Sequence, residues 1–248
     1  RSIDYSVSLN YSILNHAVRH GDELLYNFYL MGKKSIDRGN TDTWTKYPKR
    51  AAAITEAYNV DRAGENDGSR RGGIPTEYFN KVFKDPNLRD PRGFILSADQ
   101  TDFPTAVKFI NALIKSGVSV HKATADFTVN GKSYPQGSYI VKTAQAFRPH
   151  VLDMFEPQDH PNDFQYPGGP PVRPYDSAGW TPAFTMGVQF DRILEEFKGP
   201  FESIPYGQIQ VPKSSFEVGA FYAFPTSDNG SFTLLNDLLK AGVSIFKN

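Results

Sequence analysis

The segment from Thr143 to Trp180 places the tightest limit on how this chain can fold. It contains seven of the chain's 18 prolines, and proline fixes φ and lacks a backbone N–H. This stretch therefore cannot be a regular helix or a central strand throughout. Charged and aromatic residues alternate with the prolines, unlike the Ser/Gly repeats of a flexible linker. We predict a long ordered loop that either covers a sheet edge or carries a site.

The composition excludes several classes of function. Lys plus Arg equals Asp plus Glu at 27 each, so no net charge favours nucleic acid or anionic lipid. Cysteine is absent, which removes disulfides, thiolate metal ligands and cysteine nucleophiles. No apolar run is long enough to span a bilayer, and no signal segment opens the chain. We interpret the chain, which starts at Arg1 and stops just after an apolar run, as a fragment of a longer protein.

The first 90 residues are expected to be helical and then polar. Apolar residues recur at helical spacing in two stretches within 3–38, and a Gly-Asp pair separates the two. A third short helix is predicted at 49–59. We assign residues 1–58 to a helical segment and residues 59–90 to a polar connector, because the composition then turns rich in Gly and Arg.

The remaining residues, 91–248, show a strand–helix–strand pattern twice. The stretches 111–122 and 236–247 are identical at seven of twelve positions. In both, a helix ends in Lys-small-Gly before a β-branched run. Four strands are predicted from the two units, at 93–98, 118–122, 219–224 and 243–247. Because a βαβ unit places its strands parallel, the sequence predicts an α/β domain with a mainly parallel sheet.

Further elements are predicted from turn and capping signals. Asn130-Gly131 is a strong hairpin signal and is expected to join strands at 126–129 and 138–142. Residues 144–155 are expected to form a helix. Thr181 and Pro182 have the residue types of an N-cap and a first turn, which predicts a helix that continues to about Phe197.

Ligand sites in parallel sheets form at the carboxyl ends of the strands. The corresponding segments are 97–103 and 223–231, which are both short, polar and acidic. Neither is a glycine-rich phosphate-binding loop, and no G-x-G-x-x-G or P-loop sequence occurs in the chain. Nucleotide binding is therefore not expected.

Several stretches resemble the region that follows the catalytic domain in large bacterial zinc carboxypeptidase-like (carboxypeptidase A-like) metallopeptidases. Residues 1–17 and 24–45 are similar to the end of the peptidase domain and its exit helices. Residues 91–124 and 146–164 are similar to the accessory domain of those proteins. The resemblance implies a three-layer α/β fold of the class I glutamine amidotransferase-like (flavodoxin-like) type, truncated at its C-terminus and preceded by the helical segment.

The resemblance also implies a function. This region would be a non-catalytic accessory domain that packs in cis on the peptidase domain and shapes access to its cleft. Zinc is expected in the catalytic domain, with no cofactor in this chain. The location implied is secreted or periplasmic, with no membrane span and no nucleic-acid partner.

Two sets of residues could in principle hold a metal, and the first is at the start of the chain. His20 and Glu23 have the H-x-x-E spacing of carboxypeptidase zinc ligands. The third ligand would be His121 or His150. The general base would be Glu195 or Glu196. We do not favour this site, because the pair lies at a break between two helices rather than after a strand. His16 and His20 likewise fit a solvated helix face better than a metal pair.

The second set lies in and before the Pro-rich segment and comprises His150, Asp153, Glu156, Asp159, His160 and Asp163. Oxygen-rich clusters of this kind suit calcium better than zinc, and His150 and Asp153 share one face of the predicted helix. The favoured interpretation is that these side chains form capping and ion-pair contacts that anchor the loop.

Three functions are left open by the sequence. The first is the accessory domain described above, which we favour. The second is a carbohydrate- or peptide-binding module that uses the aromatic loop. The third is an independent hydrolase, which lacks both a cysteine and the G-x-S-x-G nucleophile motif. The predicted contact surface comprises His150, Asp153, Glu156, Asp159, His160, Asp163, Phe164, Tyr166, Tyr175 and Trp180.

Overall fold

A computed structural model describes residues 1–62, 73–158, 163–173, 181–211, 219 and 221–247. The helices are α1 (Ser2–Arg19), α2 (Gly21–Gly39), α3 (Pro48–Asp61), α4 (Thr76–Phe83), α5 (Phe103–Lys115), α6 (Arg148–Phe155), α7 (Pro182–Thr185) and α8 (Asn229–Lys240). The strands are β1 (Gly93–Leu96), β2 (His121–Ala123), β3 (Phe127–Val129), β4 (Lys132–Tyr134), β5 (Tyr139–Lys142), β6 (Asp191–Ile193) and β7 (Phe201–Ser203). A 3₁₀ turn covers Pro86–Leu88.

The main sheet is antiparallel, with five strands in the order β6-β1-β5-β2-β7. Strand β5 pairs antiparallel with β1 on one side and with β2 on the other. The strands β1 and β2 therefore run in the same direction without being neighbours. The prediction of a mainly parallel, three-layer, flavodoxin-like sheet is wrong. The reason is that the chain turns back at Gly137 (φ +90°), and the apolar run that follows inserts between the two strands of the βαβ unit.

Side chains on the two faces of this sheet form two hydrophobic cores. Phe94, Leu96 and Val141 face α5, α6 and α7, and this larger group is the first core. Ile95 and Ile140 point the other way, towards the β3–β4 hairpin, and this smaller group is the second core. In the first core the ring of Phe155 stacks on that of Phe94 at 4.2 Å between centroids. Each such buried aromatic side chain contributes about 1.5–3 kcal/mol relative to exposure.

Helix α5 forms as its sequence predicts. The Asp102 side chain accepts a hydrogen bond from the Thr105 N–H at 3.1 Å, which satisfies one of the free donors at the helix start. Gly117 follows the helix with φ +92°, the left-handed conformation that suits glycine. The face of α5 that is buried in the first core includes Phe109, Ile110 and Leu113.

The Asn130-Gly131 turn is confirmed, but its predicted partner strand is wrong. Both residues have positive φ, 51° and 79°, as a two-residue hairpin turn requires. Such a turn brings the flanking residues directly opposite each other, so β3 pairs with β4. Residues 139–142 belong instead to β5 in the main sheet.

Of the second predicted strand–helix–strand unit, only the helix is observed among the described residues. Helix α8 ends before Gly242, which has φ +73°. Gly117, after α5, likewise has a positive φ. Residues 243–247 are nevertheless irregular and exposed, with Val243 46% and Phe246 88% accessible. The prediction of a buried parallel strand there is wrong, and the described residues of 219–224 form no strand either. In the first copy β2 lies between β5 and β7, whereas no strand of the described ranges flanks the second copy.

Two further predictions need correction. Within 118–122 only residues from His121 onwards pair as a strand, although Val118 and Val120 are buried. The helix predicted from Thr181 to Phe197 ends at Thr185, and β6 follows. Thr181 itself has a left-handed conformation, and its hydroxyl donates to the Glu156 carbonyl at 2.8 Å rather than capping the helix.

The N-terminal helices attach to this domain at the end of α2. Gly32 approaches Ala146, since a Cβ at Gly32 would lie 3.5 Å from the Ala146 Cβ. A Cβ at Gly39 would overlap the backbone of Thr143 and Ala144. Helix α4 lies within the predicted connector, and the assignment of residues 1–58, 59–90 and 91–248 to separate units stays a prediction.

Candidate functional site

The first half of the helical segment presents a broad apolar surface. We call it the N-terminal apolar surface, and it consists of Ile3, Tyr5, Val7, Leu9, Tyr11, Ile13, Leu14, Val18, Leu25, Tyr26, Phe28, Tyr29 and Met31, all of which are exposed. No residue of α1 is buried. From Ile3 to Ile13 every second residue is apolar, and at this spacing the side chains form two stripes on opposite sides of a helix. Large apolar patches that are exposed to solvent are typical of interaction surfaces.

Helix α1 also carries very little charge. Apart from histidine, Asp4 and Arg19 are its only charged side chains. Helices that lie on membranes have a polar face rich in Lys and Arg, which α1 lacks. No described helix is both long and apolar enough to cross a membrane.

The histidines at the junction of α1 and α2 lie close together. The His20 Nδ1 lies 3.5 Å from a Glu23 carboxylate oxygen, and the rings of His16 and His20 are 4.4 Å apart. Within the described residues, no group of three or more His, Asp or Glu side chains could hold a metal ion. The four residues considered as further ligand or base lie on other elements: His121, His150, Glu195 and Glu196.

Three of these candidates, Glu195, Glu196 and His150, contact other side chains. Glu195 forms an ion pair with Arg89, and the Glu196 carboxylate lies 3.2 Å from the Lys198 ammonium. The His150 Nε2 lies 2.9 Å from the Ser116 hydroxyl.

The Ser116 hydroxyl lies at the end of α5, within hydrogen-bond distance of two groups. It lies 2.9 Å from the Leu113 carbonyl oxygen and 2.9 Å from His150 Nε2. The contact with His150 connects the end of α5 to α6.

The carboxylates of the second candidate metal set contact different residues and not a common centre. The Asp153 carboxylate accepts from Gln158 at 2.8 Å, and the Glu156 carboxylate accepts two bonds from Arg192 Nε at 2.8 and 3.1 Å. Asp163 contributes a backbone carbonyl, which accepts from the Val172 N–H at 2.9 Å. The other predicted contact residues Asp159, His160, Tyr175 and Trp180 lie outside the described residues.

Residues 163–173 of the Pro-rich segment form a small hairpin. Phe164 and Pro171 make an isolated bridge. The Gly169 N–H donates to the Tyr166 carbonyl at 2.8 Å, and Gly168 has φ +78°, which with Pro167 makes a type II turn. The rings of Phe164 and Tyr166 are 47% and 62% exposed, so this loop displays two aromatic side chains to solvent.

The two short acidic segments at 97–103 and 223–231 lie in contact. The Asp102 carboxylate caps α5 and also accepts from the Asn229 N–H at the start of α8, at 3.0 Å. The Asn229 amide approaches the Thr105 hydroxyl at 3.3 Å. Burial opposes ionisation of Asp102, but the hydrogen bonds from Asn229 and Thr105 outweigh it and lower its pKa. The carboxylate thus joins two helix N-termini, where negative charge is favourable.

A buried ion pair was not found by sequence reasoning. The Arg148 guanidinium donates to the Asp90 carboxylate at 2.9 Å and to the Thr43 hydroxyl at 2.8 Å. Asp90 also accepts from the Thr43 hydroxyl at 3.0 Å and from the Thr45 N–H at 2.9 Å. These contacts tie the segment after α2 to α6. No local pattern predicts them, because the partners are 45 to 105 residues apart.

A second ion-pair group lies beside the first. The Asp42 carboxylate accepts from Arg89 at 3.0 Å and from Arg92 at 2.7 Å. Burial opposes ionisation of Asp42, but these two guanidinium groups together lower its pKa. The charges of this region are therefore paired with each other.

Comparison of this chain with protein-family models, with curated proteins and with solved structures finds no match.

Proposed function

We propose that this chain is a non-catalytic accessory region of a zinc carboxypeptidase-like metallopeptidase, and that it packs on the catalytic domain in cis. The observation that carries the proposal is the N-terminal apolar surface. Its large apolar side chains are exposed in this chain, and α1 is nearly uncharged. Such side chains cost free energy in water, about 25 cal/mol for each Å² of apolar area.

The low charge of α1 indicates the kind of contact. Transient interfaces have a polar and charged rim, whereas permanent interfaces resemble the core of a domain cut in two. A partner that covers α1 must be apolar and uncharged as well. The end of a catalytic domain in the same polypeptide fits this requirement, and the similarity of residues 1–17 and 24–45 to peptidase exit helices supports it.

The Pro-rich loop is proposed as a second contact. Phe164 and Tyr166 are exposed on a short hairpin with a fixed turn, so little conformational entropy is lost when they bind. The same two rings could hold a sugar or a peptide, which is the alternative function. In the proposal zinc belongs to the catalytic domain, and the protein is secreted or periplasmic.

A binding experiment tests the proposal. The chain and the catalytic domain of its parent protein are purified separately and mixed in a titration calorimeter. We expect association that weakens at least tenfold, about 1.4 kcal/mol, when Leu14→Ser or Phe28→Ser is introduced. Phe184→Ser is the matched control, because Phe184 is equally exposed but lies on α7. Equal loss in the control, or no association of the unchanged chain, would refute the interface.

Two further measurements separate the alternatives. Phe164→Ala and Tyr166→Ala should weaken the same association while circular dichroism stays unchanged; binding of an oligosaccharide that these variants abolish would favour the binding module instead. Elemental analysis of the isolated chain should find no stoichiometric zinc. One equivalent of zinc that is lost in His20→Ala or Glu23→Ala would overturn the assignment of zinc to the catalytic domain.

A further inference from the structure

His121 occupies a position in the main sheet that is unfavourable for a charged side chain. It lies in β2, opposite Ile140 of β5 and Ser203 of β7. Because side chains alternate along a strand, its ring shares the face of Ile140 and Ala123, which belong to the second core. A titratable ring therefore borders a hydrophobic core that the β3–β4 hairpin covers.

The buried side of this ring has no hydrogen-bond partner. The Nδ1 of His121 is inaccessible and unpaired within the described residues. The neutral ring can carry its hydrogen on Nε2 and leave only a lone pair at Nδ1. A second proton would add an N–H donor at Nδ1 with no acceptor, and a buried donor without an acceptor costs about 1–3 kcal/mol.

Lys142 makes protonation still less favourable. It lies two residues after Ile140 and so shares the face of His121. Its ammonium donates to the Phe197 carbonyl at 3.1 Å and lies over the Phe197 and Phe201 rings. Burial and, second, the charge of Lys142 lower the pKa of His121.

The other charged groups around this face do not compensate a charge on His121. Asp191 of β6 pairs with Lys132 at 2.7 Å and lies three strands from β2, roughly 14 Å away at sheet spacing. Glu202 is opposite Lys122, so both side chains point to the other face. Glu196 and Lys198 pair with each other, and Tyr134 of the hairpin stays uncharged because burial and its contact with Asp191 raise its pKa.

The second core is the smaller of the two cores and lies under a short hairpin. Its buried members are eight residues, against sixteen in the first core. It is covered by a hairpin of two three-residue strands, and the adjoining edge strand β7 also has three residues. Small units with few buried apolar contacts have low opening free energies.

We infer that His121 is an acid-sensitive latch: uptake of a proton by its ring opens the second core, releasing β7 and the β3–β4 hairpin while the first core stays closed. The neutral ring fits the closed sheet, and the Nδ1–H of the imidazolium, which is inaccessible there, can be hydrated only when this edge opens. Between the ordinary histidine pKa of 6.5 and the lowered value in the fold, the opening constant rises up to tenfold for each unit that the pH falls.

Hydrogen exchange of the complete chain tests the latch. Peptides that cover 127–134 and 201–203 are compared at pH 7.5 and at pH 5, with rates corrected for intrinsic exchange. We expect protection of these peptides to fall by up to tenfold for each pH unit between 6.5 and the lowered pKa of His121, and protection of α5 in the first core to stay constant. His121→Phe should abolish the difference, and Lys142→Met should reduce it, because the pKa of His121 then moves back towards its ordinary value.

His150→Gln is the matched control, since His150 is bonded to an exposed serine hydroxyl and should leave the pH response unchanged. A pH response that persists in His121→Phe would overturn the inference. So would an NMR titration of folded protein in which His121 has its ordinary pKa.

Discussion

The buried pair between Arg148 and Asp90 should account for a large share of the domain's stability. Only 7% of the Arg148 side chain and 10% of the Asp90 side chain are accessible. Substitution Arg148→Met keeps most of the apolar stem but removes the guanidinium. The Asp90 carboxylate then retains its bonds from Thr43 and Thr45 and loses its counter-charge.

The magnitude follows from the geometry. Removal of one partner of a buried ion pair costs about 3–5 kcal/mol, because the other charge is left unpaired. Since two hydrogen bonds to Asp90 survive, we expect the lower end of this range, about 3 kcal/mol. For a domain of this size the melting temperature should fall by about 6–12 °C.

Urea unfolding provides the assay. Trp44 lies between Thr43 and Thr45, and its indole N–H donates to the Asp85 carbonyl at 2.7 Å, so its fluorescence reports on this region. The midpoint should shift without a change in slope. In the double variant Arg148→Met, Asp90→Asn the loss should be smaller than the sum of the two single losses by at least about 1 kcal/mol.

The exposed pair of Lys81 and Asp61, 3.6 Å apart, is the control. Lys81→Met should cost less than about 1 kcal/mol, as surface ion pairs do. If Arg148→Met cost no more than Lys81→Met, or if the double variant showed simple additivity, the argument from burial and pairing would be refuted.

Three further predictions concern other contacts. Gly39→Ala should detach α2 and speed its cleavage in limited proteolysis, because the new Cβ would overlap the backbone of Thr143 and Ala144; Gly32→Ala, which meets ordinary van der Waals contact, should not. Asp102→Ala should cost about 1–2 kcal/mol near pH 7 and increase hydrogen exchange in α8, as loss of an N-cap does. Because the fold lowers the pKa of Asp102 below its ordinary 3.8, this contribution is present above pH 3.8 and should vanish as the pH falls through the lowered value, which urea unfolding at several pH values would show. Phe155→Ala should cost about 3–5 kcal/mol, the usual loss for a fully buried aromatic side chain, and a calorimetric loss below about 1 kcal/mol would contradict the packing described for the first core.

The contacts of the predicted site residues could not be predicted from the sequence. Glu156, His150 and Asp153 have the residue types of a cluster, but each contacts a different partner: Arg192, Ser116 and Gln158. The acidic segments 97–103 and 223–231 meet through Asp102 and Asn229, which the sequence pattern did not predict. Two helix starts share one carboxylate there, and no parallel sheet within the described residues brings the segments together.

The sequence by itself determined several local elements of this protein, although the strands predicted at 219–224 and 243–247 are not found among the described residues and the helix after Thr181 is shorter than predicted. Helical spacing and caps placed α5 and its glycine end, Asn130-Gly131 placed a turn, and apolar periodicity placed α1 and α2. These features depend on neighbours within a few residues, so a short window contains the whole cause.

Only the tertiary structure decided which strands pair and which stay single. The matched stretches 111–122 and 236–247 share seven of twelve residues, yet Val118 is 3% exposed and Val243 is 46% exposed. A strand needs backbone partners on its edges, and β2 obtains them from β5 and β7, which follow it in the chain at 139–142 and 201–203. The partner of Arg148 is likewise 58 residues away. Contacts of this kind depend on how distant segments meet, and no local pattern of residues encodes that meeting.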